Sequence, residues 1–401
     1  MAGAVERGGG IAGAVGALAA AALGVFVTWS AFGGFILPPA DTGWMLSGRI
    51  GPDPVQYWLG WTAFARDAWR WPPGANPGWG MELASSIFYS DSIPLLAFAF
   101  KAIRPVVEVG QYWGLWIHAC GALQAVLAWR LMGLATSDPM ARLAAAGLFV
   151  LQPLLLARLG GHFALGGQFL LLAGLWLCLV PAGGFRRGAA WAALMAVASL
   201  VQAYLLPMVG ALWAADWLGR AARGRQRLPA LAEAVLVPAA GVAGLWAGGF
   251  FLLGGGFGGT WGGYGRMQLD LLAPFDRGYW GWILPDIPTA DHLEAGNSYP
   301  GLGALAVLAL GALAWLRGAG TGRCWPCWPG CSCWRCRTAS PSPGASSRSC
   351  RCLHGSWPRP TRCGRRSGSS GPCSMPRCSA PASRWSARSA GGGRATCCSA
   401  R

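Results

Sequence analysis

The chain has 401 residues, 54% of them hydrophobic and 12% charged, about half of the ~25% charged residues of an ordinary soluble domain. Together with a mean hydropathy of +0.39, this excludes a disordered chain and argues against a soluble enzyme, because a chain this apolar is normally dissolved in lipid. The formal charge of +17 does not point to a nucleic-acid partner: all 15 acidic residues and 18 of the basic ones precede position 323, leaving +3 there, while the last 79 residues carry 14 Arg and no acid.

A membrane-spanning helix needs about 20 apolar residues, and residues 11–37 supply the first, stopped by Pro38 and Pro39. Its start resembles a signal peptide, but the apolar run is too long and lacks a cleavage site, so an anchor with a cytoplasmic N-terminus is expected. Residues 38–92 are rich in Trp and Pro and hold five acids against three bases. Further apolar runs follow at 92–100, 112–131, 141–156, 163–180, 189–217, 228–253 and 299–316. The run 92–100 is short enough to cross, re-enter or lie flat. The run 189–217 is too long for one straight span and holds Gln202, Tyr204 and Pro207 in its middle; two half-helices or a helical hairpin are the alternatives. The predicted fold class is therefore all-α, a polytopic transmembrane protein over residues 1–322.

Arg-rich connections mark the cytoplasmic side of a membrane. The stretches around 130–142, 186–187 and 220–227 are basic, whereas loops 38–92 and 254–298 are acidic and are expected outside the cytoplasm. Glycines at 254–259 and 262–263 carry no GK[ST], so they read as a flexible loop rather than a phosphate cradle.

Residues 323–401 have a different composition, with 12 of the 14 Cys and abundant Arg, Ser, Pro and Gly. Cys324/Cys327 and Cys333/Cys336 are CxxC pairs, but they stand too close together, without a foldable frame, for an ordinary zinc site. Joining the third base of each Cys, Trp, Pro and Ser codon to the two bases that follow yields mostly Leu, Ala and Gly, so that residues 323–336 become a membrane helix in that shifted frame. Residues 368–384 likewise become an aromatic and then apolar run. The tail is expected to be disordered and out of frame, with no functional role for its Cys and Arg.

Four polar stretches could carry chemistry. In GPDPVQYWLGW (51–61) the prolines flanking Asp53 fix the backbone at a point where Tyr and Trp favour the membrane interface. Asp53 could accept a proton from an acceptor hydroxyl, or hold a divalent ion (Mg or Mn) against a phosphate; the alternative is a cap for a helix starting at Val55. Asp91, in SSIFYSDSIP, precedes an apolar run and reads equally as an N-cap. Arg158, His162 and Gln168 lie in RLGGHFALGGQ between two apolar runs, where polar groups are costly to keep and favour a site; Arg158 could hold a phosphate with two hydrogen bonds. Asn297 opens the last helix, where capping is the expected role. His118, Gln124 and Gln202 fall inside apolar runs and suit hydrogen bonds between helices. The four His show no metal-binding spacing.

The succession GPDPVQYWLGWTAFARDAWRWPPG, SIFYSDSIPLLAFAFK, YWGLW, RLGGHFALGGQ and NSYPGLG resembles a bacterial multi-pass inner-membrane family of unknown function, itself similar to GT-C glycosyltransferases. The resemblance spans residues 20–316. It implies transfer of a sugar from a polyprenyl-phosphate carrier to an acceptor outside the cytoplasm, with Asp53 as the catalytic acid of the first outer loop and Asp91 as a second. Arg158, His162, Gln168, Tyr57 and Asn297 are then expected to contact the donor or acceptor. A chain lacking the family's later helices would have lost part of such a site and could be inactive. A transporter or flippase would instead use His118, Gln124 and Gln202 within the bilayer, and a non-catalytic envelope scaffold would use none of these residues.

Overall fold

The computed structural model describes residues 11–81, 84–180, 184–222, 227–253, 271–287 and 298–319. The chain divides into a unit Met1–Pro326 and a unit Cys327–Arg401; the second lies outside the described residues, as do the glycine clusters at 254–259 and 262–263, Asn297 and the whole tail from 323.

The described residues are helical, with no strand among them and one isolated bridge between Ala75 and Ser86. In chain order the helices are α1 (Ile11–Phe32), the single turn α2 (Gly43–Leu46), α3 (Asp53–Arg66), α4 (Pro94–Ile103), α5 (Trp113–Met132), α6 (Pro139–Val150) and α7 (Pro153–Leu159). They continue with α8 (Phe169–Leu179), α9 (Phe185–Val201), α10 (Leu205–Ala222), α11 (Arg227–Gly248) and α12 (Leu302–Ala319). Proline sets several of the boundaries: it sits in the first turn of α3, α4, α6 and α7, where its missing N–H costs nothing.

Three helices are long and apolar enough to cross a membrane, within α1, α5 and α11, and a fourth span forms if α6 and α7, bent by 51° at their junction, are taken together. The chain is therefore a membrane protein. At ~1.5 Å per residue, the ten residues of α4 reach only half of a ~30 Å hydrocarbon core. The run 92–100 does not cross; α4 instead packs against α3 and α9. The run 189–217 is a hairpin, since Arg187 near the start of α9 pairs with Asp216 near the end of α10. Gln202 and Tyr204 fall in the break between them.

α1 and α5 run antiparallel, because Gly16 lies against Trp129, Gly24 against Gly121 and Thr28 against His118. Hydrocarbon gives no hydrophobic drive between spans, so close backbone approach at small residues must hold them. A Cβ added at Gly121 would stand 2.6 Å from Thr28 Cγ2 and 2.7 Å from the Gly24 carbonyl oxygen. The contact also brings Thr28 Oγ1 within 2.8 Å of His118 Nδ1. Gly121→Val is expected to wedge the pair apart and lower stability by ~1–3 kcal/mol, read as an earlier thermal transition of the purified protein; an unchanged transition would show that the contact is slack.

The basic connections do not all remain in water. Arg187 and Asp216 are 3% and 7% exposed and pair at 3.0 Å, and Arg220 bonds both Asp216 and the 1%-exposed Glu233. Trp191 and Trp213 donate their indole N–H groups to Asp216 and Glu233. Two guanidiniums and two carboxylates thus cancel one another between α9, α10 and α11.

Candidate functional site at the acidic end of the bundle

The segment between α1 and α5 folds back onto the helix ends because its polar groups find partners there. Gln111 donates to the carbonyls of Ile36 and Pro38, both at 2.8 Å, and the Trp61 indole donates to Val109 O at 3.1 Å. The end of α11 is drawn in as well: Gly74 N–H donates to Ala247 O at 2.7 Å and Tyr89 OH to Phe250 O at 2.8 Å. Gly60 on α3 is in contact with the Ser90 side chain, where a Cβ would collide. Ser92 Oγ then donates to Tyr57 O at 2.9 Å, and Tyr112 OH donates to Ser92 O.

This clamp forces residues 91–93 into unusual backbone. Asp91 has φ 52° and Ile93 φ 51°, a left-handed conformation that costs of order 1–3 kcal/mol per residue and concentrates at functional sites. Asp91 does not cap α4, since Ile93 occupies the position before that helix and no side chain caps it. Instead Asp91 Oδ1 accepts a 2.7 Å bond from Gln202 Nε2, in the tip of the α9–α10 hairpin, and Asp91 is hydrogen-bonded to Tyr57. Burial, reinforced by the nearby Asp53 charge, pushes the Asp91 carboxyl up to about 7, while the bonds from Tyr57 and Gln202 pull the other way. Burial raises the Tyr57 phenol strongly, with Asp91 and Asp53 adding to it.

Asp53 and Tyr57 are one turn apart on α3 and so share a face. Asp53 is a first-turn residue of the helix, which begins at Asp53 rather than Val55. Its Oδ2 lies 3.4 Å from His162 Nδ1, with both side chains nearly half exposed. That is long for a hydrogen bond but close enough for an ion pair when the imidazole is protonated. His162 in turn lines a cavity of about 520 Å³ with Arg158, Gly160, Phe32, Tyr279 and Trp280. The Trp280 indole N–H is buried without a partner among the described residues, beside that cavity.

The structure thus links Asp53, Asp91, Tyr57 and His162, with Arg158 on the cavity that His162 also lines. Gln168 is not joined to them: it stands at the start of α8, with its carbonyl accepting from Leu171 and no hydrogen bond from its side chain to either acid. Asn297 lies outside the described residues. Gln202, read from sequence as a tie between helices, belongs to this cluster; its place at a break in an apolar run, beside Tyr204 and Pro207, was the available signal. Tyr279 and Trp280 carried no such signal. No group of three His, Cys, Asp or Glu positioned to hold a metal occurs among the described residues.

The Asp91 shift has a sign that can be tested. Between its ordinary value near 4 and the raised value of about 7, the folded protein holds a proton that the unfolded chain releases. Stability is therefore expected to fall as pH rises from about 4 to about 7, by at most ~4 kcal/mol from this group. Asp91→Asn, which cannot ionise, should flatten that limb in thermal unfolding followed against pH. An unchanged limb would assign it to other groups.

A family model described as "Domain of unknown function (DUF6311)" matches residues 21–344, and the chain belongs to that family. The match continues past Arg323, so it marks no boundary there. No curated protein and no solved structure matches the chain.

Proposed function

We propose that this member of the DUF6311 family is an inner-membrane transferase that moves a sugar from a polyprenyl-phosphate carrier to an acceptor outside the cytoplasm. The acidic end of the bundle is the extracytoplasmic one in this reading, because the Arg-bearing ends of α9 and α10 then face the cytoplasm. The observation that carries the reading is the gathering of Asp53, Asp91 and Tyr57 at that end, beside a cavity lined by Arg158 and His162. Of the residues a transporter would use, His118 Nδ1 meets Thr28 Oγ1, and His118 Nε2 and Gln124 Oε1 are buried without a hydrogen-bond partner among the described residues. Gln202 instead joins Asp91 at the acidic end, and its place there supports a transferase over a transporter, whose polar groups would line a cavity at mid-membrane.

In the proposed step the acceptor hydroxyl gives its proton to the Asp53 carboxylate, and its oxygen forms the new bond to the anomeric carbon. The bond from that carbon to the carrier's phosphate oxygen breaks, and the electron pair leaves with the phosphate. Arg158 offers the departing phosphate a bidentate donor, and the His162 ring lines the same cavity. A general base in position contributes ~10²–10⁴-fold. Asp91, uncharged over part of the working pH range, keeps a second full negative charge away from the departing phosphate.

Membranes containing the full chain, given a radiolabelled polyprenyl-phosphate sugar and an extract of envelope acceptors, are expected to transfer label. Failure to transfer from every glycosyl carrier tried, with intact folded protein present, would end the reading.

A further inference from the structure

The described part of the second outer loop, residues 271–287, exposes many of its apolar side chains and turns two of its three charged ones, Asp276 and Arg277, inward. Asp276 is fully buried and accepts from the N–H groups of Gly278 and Ile287. Arg277 donates to the carbonyls of Leu284, Gly278 and Gly281. The tip between them, Tyr279-Trp280-Gly281-Trp282-Ile283, has Tyr279, Trp282 and Ile283 exposed by 73%, 97% and 80%. Soluble surfaces scatter single apolar residues, whereas a contiguous cluster of this kind marks an interaction surface.

The level of this tip identifies what covers it. Tyr279 and Trp280 share their cavity wall with Ala31 and Phe32, at the very end of α1. The tip therefore stands where that span leaves the hydrocarbon, at the depth where Trp and Tyr concentrate in membrane proteins. An aromatic and aliphatic wedge there can lie in the boundary between headgroups and acyl chains. We infer that residues 279–283 form an interfacial wedge seated in the outer surface of the protein's own membrane, beside the Arg158–His162 cavity. This inference rests on the loop's geometry and exposure, and stands whether or not the chain transfers sugar.

The test places a photoreactive benzophenone amino acid at position 282, 283 or 26, one at a time, in the full chain. Each protein is reconstituted in nanodiscs of phosphatidylcholine and phosphatidylglycerol with tritiated acyl chains. Phe26, exposed on α1, is the lipid-facing reference. Size-exclusion chromatography verifies that each variant is folded, and the two tip positions guard against loss of either one. The expected result is lipid labelling at 282 or 283 of at least one third of that at 26. Labelling below that at both positions, or adducts to a second copy of the chain in place of lipid, would overturn the wedge.

Discussion

Asp53→Asn is expected to slow sugar transfer by ~10²–10⁴-fold, the range over which a positioned general base contributes. The substitution keeps the size of the side chain and its place in the first turn of α3, so the fold should survive it. What it removes is the group able to take the acceptor's proton, together with the charge 3.4 Å from His162. Asp67→Asn is the matched control, because that carboxylate belongs to the same 38–92 segment but is spent on Arg70, which it meets at 2.6 Å. Loss of that exposed pair is expected to leave the rate within about twofold, exposed ion pairs being worth little. The two variants are compared as initial rates with labelled carrier in the same membranes. Equal rates in Asp53→Asn and the parent would remove Asp53 from the mechanism, whatever became of the transferase reading as a whole.

The second large effect is structural. Asp216→Ala should destabilise the protein by ~3–5 kcal/mol, the cost of leaving a buried charge without its partner. Asp216 accepts from Arg187, Arg220 and Trp191 together. Its removal strands the guanidinium of Arg187, which is only 3% exposed and keeps a single other acceptor, Val180 O. The same network ties α9 to α10 and, through Arg220 and Glu233, to α11. Thermal unfolding of the purified variant is the measurement. Combining Asp216→Ala with Arg187→Met should recover part of the loss, because the stranded charge then goes too. A single variant as stable as the parent would mean that water reaches Arg187.

Much of this architecture is legible in the sequence because the physics that sets it is local. Apolar runs long enough for a membrane gave the principal helices, and Pro38-Pro39, Pro94, Pro139 and Pro153 stand at or close to helix ends for reasons confined to their own backbones. Gln202, Tyr204 and Pro207 marked the hairpin, since three helix-disfavouring or polar residues interrupt one apolar run. What was not legible is pairing over distance. The Asp91–Gln202 bond joins residues 111 positions apart, and no periodicity encodes it. The buried network is opaque in the same way, because nothing local to Arg187 or Arg220 tells that Asp216 and Glu233 face them. Asp91 shows how the two levels compete: a local rule reads an acid before an apolar run as a cap, but the clamp through Ser90, Ser92 and Tyr112 turns it away from that duty.

That clamp bears on how the acid can be studied. The stretch 38–92 draws its shape from partners on other segments: the carbonyls of Ala247 and Phe250 accept from it, and the Gln202 side chain donates to Asp91. Excised as a water-soluble fragment, it would lose the braces that hold Asp91 at positive φ, and the residue would relax to an ordinary extended or turn geometry. Peptides cut from this headpiece should therefore neither bind nor titrate as the intact protein does, and only preparations that retain the hairpin and the last turn of α11 report on the chemistry.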